Sequence, residues 1–314
     1  MTDSLGFRMV FVAPGSNIAR PGYVTTLPTD IKRFANMKKI YAQALAAAVM
    51  AAATVACTHT PAPKSDIDFV SVKAAGAFSQ DGTAEDLEAE TDLRIACRLD
   101  LLMPSRIYDH DITPLRDTIQ NIAFGSPEGV ALIQDFFRRS AEEFGYAVTP
   151  LELTEAAADS IENTSSALTA YDGFVEVRGY LELLTPKVLS YAINYSSYAP
   201  RAAHGMYGTS YVNYDVRLGR MITLEDLFSA DGLGALPEAV RKKAIQMRGY
   251  IGRTDITSLP AGDNFTLSSD GDIILSYQPY EVASYAQGEI RVPMPAYEVD
   301  QYLTPYGKSL LMGE

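Results

Sequence analysis

One cysteine of this 314-residue chain stands where acyl-transfer chemistry would use it. Cys57 closes the run Met37-Lys-Lys-Ile-Tyr-Ala-Gln-Ala-Leu-Ala-Ala-Ala-Val-Met-Ala-Ala-Ala-Thr-Val-Ala-Cys57. Lys38 and Lys39 form a positive flank. Ile40 to Ala53 is a 14-residue apolar stretch, of signal-peptide length and short of the roughly 20 residues that span a bilayer. In a lipoprotein signal the cysteine thiol is alkylated by a diacylglyceryl group, and a peptidase cuts before it, here between Ala56 and Cys57. Two acyl chains then hold the protein where one would bind only marginally. Such signals usually carry Leu, Ile or Val three residues before the cysteine, and here that residue is Thr54. Thr54-x-Ala56 also suits the general secretory peptidase, and a buried apolar helix is a third reading. The segment Thr58 to Ser65 is polar and Pro-rich and reads as a tether. The lipoprotein reading implies the cell envelope, at the outer membrane or cell surface, with membrane contact through the lipid anchor alone.

Other residues with chemical potential are sparse. After the anchor the histidines are His59, in the tether, His110 and His204. His204 is either a ligand or base, or a hydrogen-bonded turn residue. The chain has no His-x-x-x-His, His-Glu-x-x-His, Gly-x-Ser-x-Gly or phosphate-loop pattern, so we expect no metal and no cofactor. A hydrolase built on Asp and Glu alone stays open, because a carboxylate pair leaves no local signature. Cys97 lies in an apolar alternation and reads as a buried, inert thiol. The richest supply is tyrosine. Tyr191 and Tyr195 share one face of a strand, as do Tyr207 and Tyr211. Pro279-Tyr280-Glu281 ends a strand and opens a Tyr-, Ala- and Gly-containing loop to Gly288. Such a loop is either a recognition site or a bulge with Tyr280 tucked into the core. Tyr280, Glu281, His204, Tyr207 and Tyr211 are therefore the candidate binding residues, and no residue stands out as catalytic.

Charge narrows the partners. The whole chain has 26 Lys+Arg and 39 Asp+Glu. Residues 1–56 hold six of the basic and two of the acidic residues, which leaves 20 against 37, or −17, after cleavage. That balance disfavours nucleic acid and anionic surfaces and suits solubility or a cationic partner.

The elements that must carry these residues can be traced by period and punctuation. Residues 1–36 show no period and read as a mis-assigned extension before a true start at Met37; the alternative is a long, unusual n-region of the signal. Residues 37–56 are the signal and 57–65 the tether. Asp66 to Ala77 and Thr91 to Met103 read as strands joined by an acidic turn. Leu93, Ile95, Cys97, Leu99 and Leu101 line one face, with Arg94, Arg98 and Asp100 on the other. Helices are expected over Thr113 to Phe124, with Thr113 as N-cap, from Ser126-Pro127 to Gly145, and over Leu151 to Asn163. A Ser/Thr linker follows. Tyr171 to Thr185, Lys187 to Tyr198 and Met206 to Arg217 suggest an antiparallel meander. Thr223 to Phe228 carries a capping pattern with Asp226, and Gly234 to Arg248 reads as a helix. A hairpin over 264–277 turns at Gly271, and Gly219 supplies a left-handed turn. Glu289 to Met294 is a last strand, Pro295 to Leu303 a closing helix. The class is α+β, with antiparallel sheets, helices packed on them and two small subdomains. The subdomains are expected over 66–184 and 185–304, with a tail over 305–314.

The order of several short motifs resembles a known family. They are Ala203-His204-Gly205, Tyr211-Val-Asn-Tyr-Asp-Val216, Gly219-Arg-Met-Ile-Thr-Leu-Glu-Asp-Leu-Phe228, Asn264-Phe265-Thr-Leu267, Tyr277-Gln-Pro-Tyr-Glu281 and Ala286-x-Gly288. Together they resemble the RsiV-type C-terminal domain. That domain forms the outer part of lysozyme-sensing anti-sigma factors and accompanies some peptidoglycan deacetylases. The resemblance covers about 185–304, and 66–184 is similar to the companion N-terminal domain of unknown function. The family often has Gly-Gly before the Ala-His pair, where this chain has Arg201-Ala202. The resemblance implies a binding module for an envelope partner, either a lysozyme-like protein or peptidoglycan. The alternative is a carboxylate hydrolase of envelope glycans.

The anchoring expectation is directly testable. Cys57→Ser should shift the protein from the membrane to the soluble fraction and abolish labelling by a fatty-acid analogue. A mutant that stays in membranes and keeps the label contradicts the lipid anchor.

Overall fold

The computed structural model describes residues 66–82, 91–145, 147–247 and 262–313. The chain divides into two units at residues 63/64, and every described residue belongs to the second. The signal, Ala56, Cys57 and the tether lie outside the described residues.

The fold is α+β, as the alternating and helical periods indicate. A seven-stranded sheet has the order β3-β1-β2-β4-β5-β6-β7. Its strands are β1 (Ile67–Gly82), β2 (Thr91–Ile107), β3 (Val148–Pro150), β4 (Gly173–Leu184), β5 (Val188–Tyr198), β6 (Met206–Asp215) and β7 (Arg220–Met221). All neighbours are antiparallel except β2 and β4. That parallel pair needs a crossover, which carries α1 (Thr113–Phe124), α2 (Ile133–Glu142), β3 and α3 (Glu155–Asn163). The expected subdomain boundary at 184/185 falls in the turn between β4 and β5, inside this sheet.

One face of the large sheet is the main core. Ile95, Cys97, Leu99 and Leu101 of β2 pack there with Leu115 and Ile119 of α1 and Phe137 and Ala141 of α2. Burial pushes the Cys97 thiol well above its ordinary pKa, as an inert thiol requires. The opposite face differs from a solvated one. Arg98 is only 4% exposed. Its guanidinium lies 3.2 Å from the Glu176 carboxylate, and Ser165 accepts from Arg98 at 2.6 Å and donates to Glu176 at 3.0 Å. The expected Ser/Thr linker is the 3₁₀ turn Ser165–Ala170 that covers this pair.

A second core belongs to a three-stranded sheet, β8 (Phe265–Leu267), β9 (Ile273–Tyr277) and β10 (Ile290–Met294), in the order β10-β9-β8. α4 (Leu224–Leu227), α5 (Ala230–Gln246), α6 (Ala296–Val299) and α7 (Pro305–Leu311) surround it. The hairpin turns at Gly271 with φ 84°, and Gly219 has φ 65°, both left-handed as the turns demand. Thr223 N–H donates to Asp226 at 2.9 Å at the start of α4.

Several boundaries differ from expectation for identifiable reasons. Asp111, not Thr113, accepts the first amide of α1, from Thr113 N–H at 3.0 Å. Ser126-Pro127 opens a turn and the 3₁₀ segment Gly129–Leu132, and the α-helix starts only at Ile133. Thr154 Oγ caps α3, so Leu151 precedes the helix. Ser229 Oγ accepts from Gly232 N–H, which starts α5 four residues before Gly234. The last segment, read as a tail, holds α7. Thr304 caps it, Leu310 enters the second core and Tyr306 Oη donates to Asp215 at 2.8 Å.

The two sheets meet at β6. Its outer edge is paired by β7 only at Tyr214 and Asp215. Upstream, side-chain amides take the place of a strand. Thr209 N–H donates to Gln278 Oε1 at 2.8 Å and Tyr211 N–H to Asn264 Oδ1 at 2.9 Å. Thr209 C=O accepts from both amides, at 2.7 and 2.8 Å. Asn213 Nδ2 donates to Phe265 C=O at 2.7 Å. A buried amide left without its partner costs about 1–3 kcal/mol. Asn264→Ala and Gln278→Ala should therefore each cost about 2 kcal/mol. Because both amides serve Thr209 C=O, the double variant should exceed their sum by about 1 kcal/mol. Urea unfolding of the three variants measures this, and strict additivity with small single losses would disprove the shared clamp.

Candidate functional site

The clamp sets the neighbourhood of the candidate residues. Gln278 begins a turn in which Glu281 N–H donates to Gln278 C=O at 3.0 Å and Gln278 N–H donates to the Glu281 carboxylate at 2.8 Å. Pro279 holds the second place and Tyr280 the third, with φ 70°. Pro there followed by a left-handed residue is the type II pattern, whose third place normally takes Gly or Asn. Tyrosine in that region costs about 1 kcal/mol or more. The strain presents the ring to solvent: Tyr280 is 58% exposed and is not tucked into the core.

Across from it runs the connection between β5 and β6. Arg201, where the resembled family often has glycine, is itself left-handed with φ 64°. Tyr198 Oη donates to Ala202 C=O at 2.8 Å and braces the loop. His204 Nδ1 lies 2.9 Å from Gly205 C=O. A carbonyl only accepts, so Nδ1 carries the proton and Nε2 of the neutral ring is an acceptor. Tyr280 Oη sits 3.4 Å from Nε2 and is placed to donate to it.

Four rings meet here. Tyr285 is the hub. His204 stacks on it at 4.0 Å and 21°, Tyr280 lies 5.6 Å away at 33°, and Tyr207 meets it edge-on at 5.9 Å and 70°. The structure thus brings together His204, Tyr207 and Tyr280. Glu281 stands exposed at the base of the turn, with one oxygen engaged by Gln278. The sequence reading did not single out Tyr285. The only signal was its place in the loop of Tyr280, and its role depends on the fold bringing the β5–β6 connection alongside.

Tyr211 belongs to a different cluster. Its hydroxyl and those of Thr209 and Ser276 surround Glu289, at 3.4, 3.3 and 2.5 Å. Arg291 lies over the Tyr211 ring at 5.4 Å and contacts Glu182 at 2.8 Å. Burial, then the Glu289 charge, pushes the Tyr211 hydroxyl well above its ordinary pKa, so it remains a donor.

Chemically, the four-ring patch is a flat aromatic surface with one imidazole and a nearby carboxylate. Tyr rings offer apolar faces with polar tips and attract cations through their π density. Among the described residues, no group of three His, Cys, Asp or Glu is placed to hold a metal. No described helix is long and apolar enough to cross a membrane.

Residues 225–297 match the model of a protein family of unknown function, DUF3298. The fold is similar to the crystal structure of a DUF3298 family member from Bacteroides fragilis NCTC 9343, with a TM-score of 0.52 and 20% identity over 79% of this chain and 98% of the other. A DUF3298 family protein from Pseudomonas aeruginosa PAO1 is also similar, with a TM-score of 0.43 and 13% identity over 79% and 96% of the chains. No curated protein matches. Residues 225–297 therefore form a DUF3298 domain, and the described fold is shared with a solved member of that family.

Proposed function

We propose that this protein is a lipid-anchored binding module of the bacterial cell envelope, of the RsiV-like kind, whose recognition surface is the aromatic patch of His204, Tyr207, Tyr280 and Tyr285. Its partner is a cationic, cell-wall-directed protein of the lysozyme type, with peptidoglycan as the second candidate. The observation that carries the reading is Tyr280, a large ring held exposed in a left-handed conformation that glycine would adopt without strain. Strain retained at an exposed residue is better explained by what the residue touches than by stability. The −17 balance after cleavage supports a basic partner, since complementary charge raises on-rates and part of the affinity.

The hydrolase alternative would need two unspent carboxylates facing each other about 5–10 Å apart across a cleft. Glu289 is engaged by three hydroxyls and Glu182 by Arg291, which supports binding over catalysis.

Binding of the full chain, in a neutral detergent, to a basic lysozyme tests the proposal. Affinity should fall steeply between low and physiological salt, as the Debye length shortens to about 8 Å, and a salt-resistant remainder should persist. Tyr280→Asn should remove most of that remainder. The same variant should leave stability within about 0.5 kcal/mol of the parent or raise it, because Asn tolerates the left-handed region. Binding that vanishes in salt and ignores Tyr280→Asn would reduce the interaction to nonspecific charge attraction. A stability loss well above about 1 kcal/mol would mark the ring as structural.

A further inference from the structure

The small sheet has two faces with different fates. Phe265, Leu267, Ile273, Leu275, Tyr277, Ile290, Val292 and Met294 fill the second core. The other face carries Thr266, Ile274 and Pro293 in one row of the register and Ser276 and Arg291 in the next. A pocket of about 360 Å³ opens on this face, lined by Met247, Ile274, Glu289, Arg291 and Pro293. That volume falls within the range of about 300–1,000 Å³ usual for small-molecule sites. The pocket is distinct from the aromatic patch.

Its walls divide by chemistry. Met247, Ile274 and Pro293 are apolar. Glu289 is a carboxylate held rigid by Ser276, Thr209 and Tyr211, and three hydroxyls leave one of its roughly four acceptor positions open. Arg291 spends one N–H on Glu182, its guanidinium lies over the Tyr211 ring, and its side chain is 39% exposed, which leaves donors for a ligand. Tyr180 is 39% exposed and lies beside this lining: it shares a row of the large sheet with Tyr211, through Ala192, and stands two residues before the Glu182 that Arg291 contacts. Thr266 is 0% exposed, and its hydroxyl has no partner among the described residues. It stands beside Ile274 in the register, on the pocket's face.

The charges around Tyr180, Glu182 and Glu289 against Arg178 and Arg291, sum to zero, which suits a neutral ligand. A rigid acceptor beside a fork of donors suits the vicinal hydroxyls of a neutral ring. An exposed tyrosine suits that ring's apolar face, and the apolar wall suits a methyl group.

We propose that this pocket binds an N-acetylated amino sugar, with the sugar hydroxyls on Glu289 and Arg291, the ring face on Tyr180 and the acetyl methyl against Ile274, Pro293 and Met247. The site would give the protein a glycan contact independent of the patch that carries the protein partner.

Saturation-transfer NMR on the full chain in neutral detergent, with the dimer of N-acetylglucosamine as probe, tests this. Binding is expected in the millimolar range, with the strongest transfer at the acetyl methyls. The matching dimer of glucose should bind about tenfold more weakly, since it lacks the group that fills the apolar wall. Tyr180→Ala, at a partly exposed ring, and Glu289→Gln should each weaken binding about fivefold or more, while Tyr280→Asn should leave it unchanged. Absence of transfer at about 10 mM, equal binding of the two dimers, or indifference to Tyr180→Ala would overturn the proposal. If Glu289→Gln disturbs the fold, Tyr180→Ala decides alone. Loss of sugar binding in Tyr280→Asn would place the sugar on the patch and equally overturn it.

Discussion

The outer edge of β6 is the constraint on which the rest of the structure hangs. An open strand edge presents unpaired amides and carbonyls, and burying such groups costs more than any single contact returns. Thr209 and Tyr211 are both buried, so their backbone groups must be satisfied from within. Gln278 and Asn264 do this with side-chain amides, and Asn213 reaches back to Phe265 C=O. Ile222 N–H closes the series on Asn213 C=O at 2.8 Å. Each bond contributes about 1 kcal/mol on its own. Together they fix the position of the small sheet, because an amide can satisfy strand groups only in one place and orientation.

Both candidate surfaces follow from that docking. Gln278 is at once part of the clamp and the first residue of the turn that displays Tyr280. The amide at Thr209 therefore sets where the Tyr280–Tyr285 loop meets His204 and Tyr207. On the far side of the same contact, Thr209 and Tyr211 supply two of the three hydroxyls around Glu289. Two left-handed non-glycine residues, Arg201 and Tyr280, lie in the two loops that form the patch. Such residues persist only where the surroundings over-determine them, and here the clamp and the Tyr198–Ala202 bond do so.

This arrangement explains why the polar residues of 213–215 and 264–281 say more about architecture than about ligand. Asn213, Asp215, Asn264, Gln278 and Glu281 are the polar residues a reader would first suspect of chemistry. All five hold backbone or turn: Asp215, fully buried, accepts from Arg217 N–H, Leu218 N–H and Tyr306 Oη. A solved DUF3298 structure at 20% identity shares the fold, and a fold is compatible with many functions. The exposed rings are where specificity can vary without disturbing the joints.

The sequence by itself determined the class and most of the elements. Alternation along β2, the helix over Thr113 to Phe124 and the turn glycines at 219 and 271 are local patterns with local physical causes, and these appear as expected. The reading was weaker at helix starts, where a neighbouring Asp or Ser supplied the cap, and at α7, whose burial needs partners 78 to 91 residues away. For the candidate site, the sequence named Tyr280, His204 and Tyr207 from composition and position. Only the tertiary structure brought them together, added Tyr285 as their hub and moved Tyr211 to the Glu289 cluster. It also turned Arg98 from a surface charge into a buried ion pair with Glu176. The reason is the same in each case. Period reports which face a residue occupies, but only packing decides what covers that face, and those contacts join residues far apart along the chain.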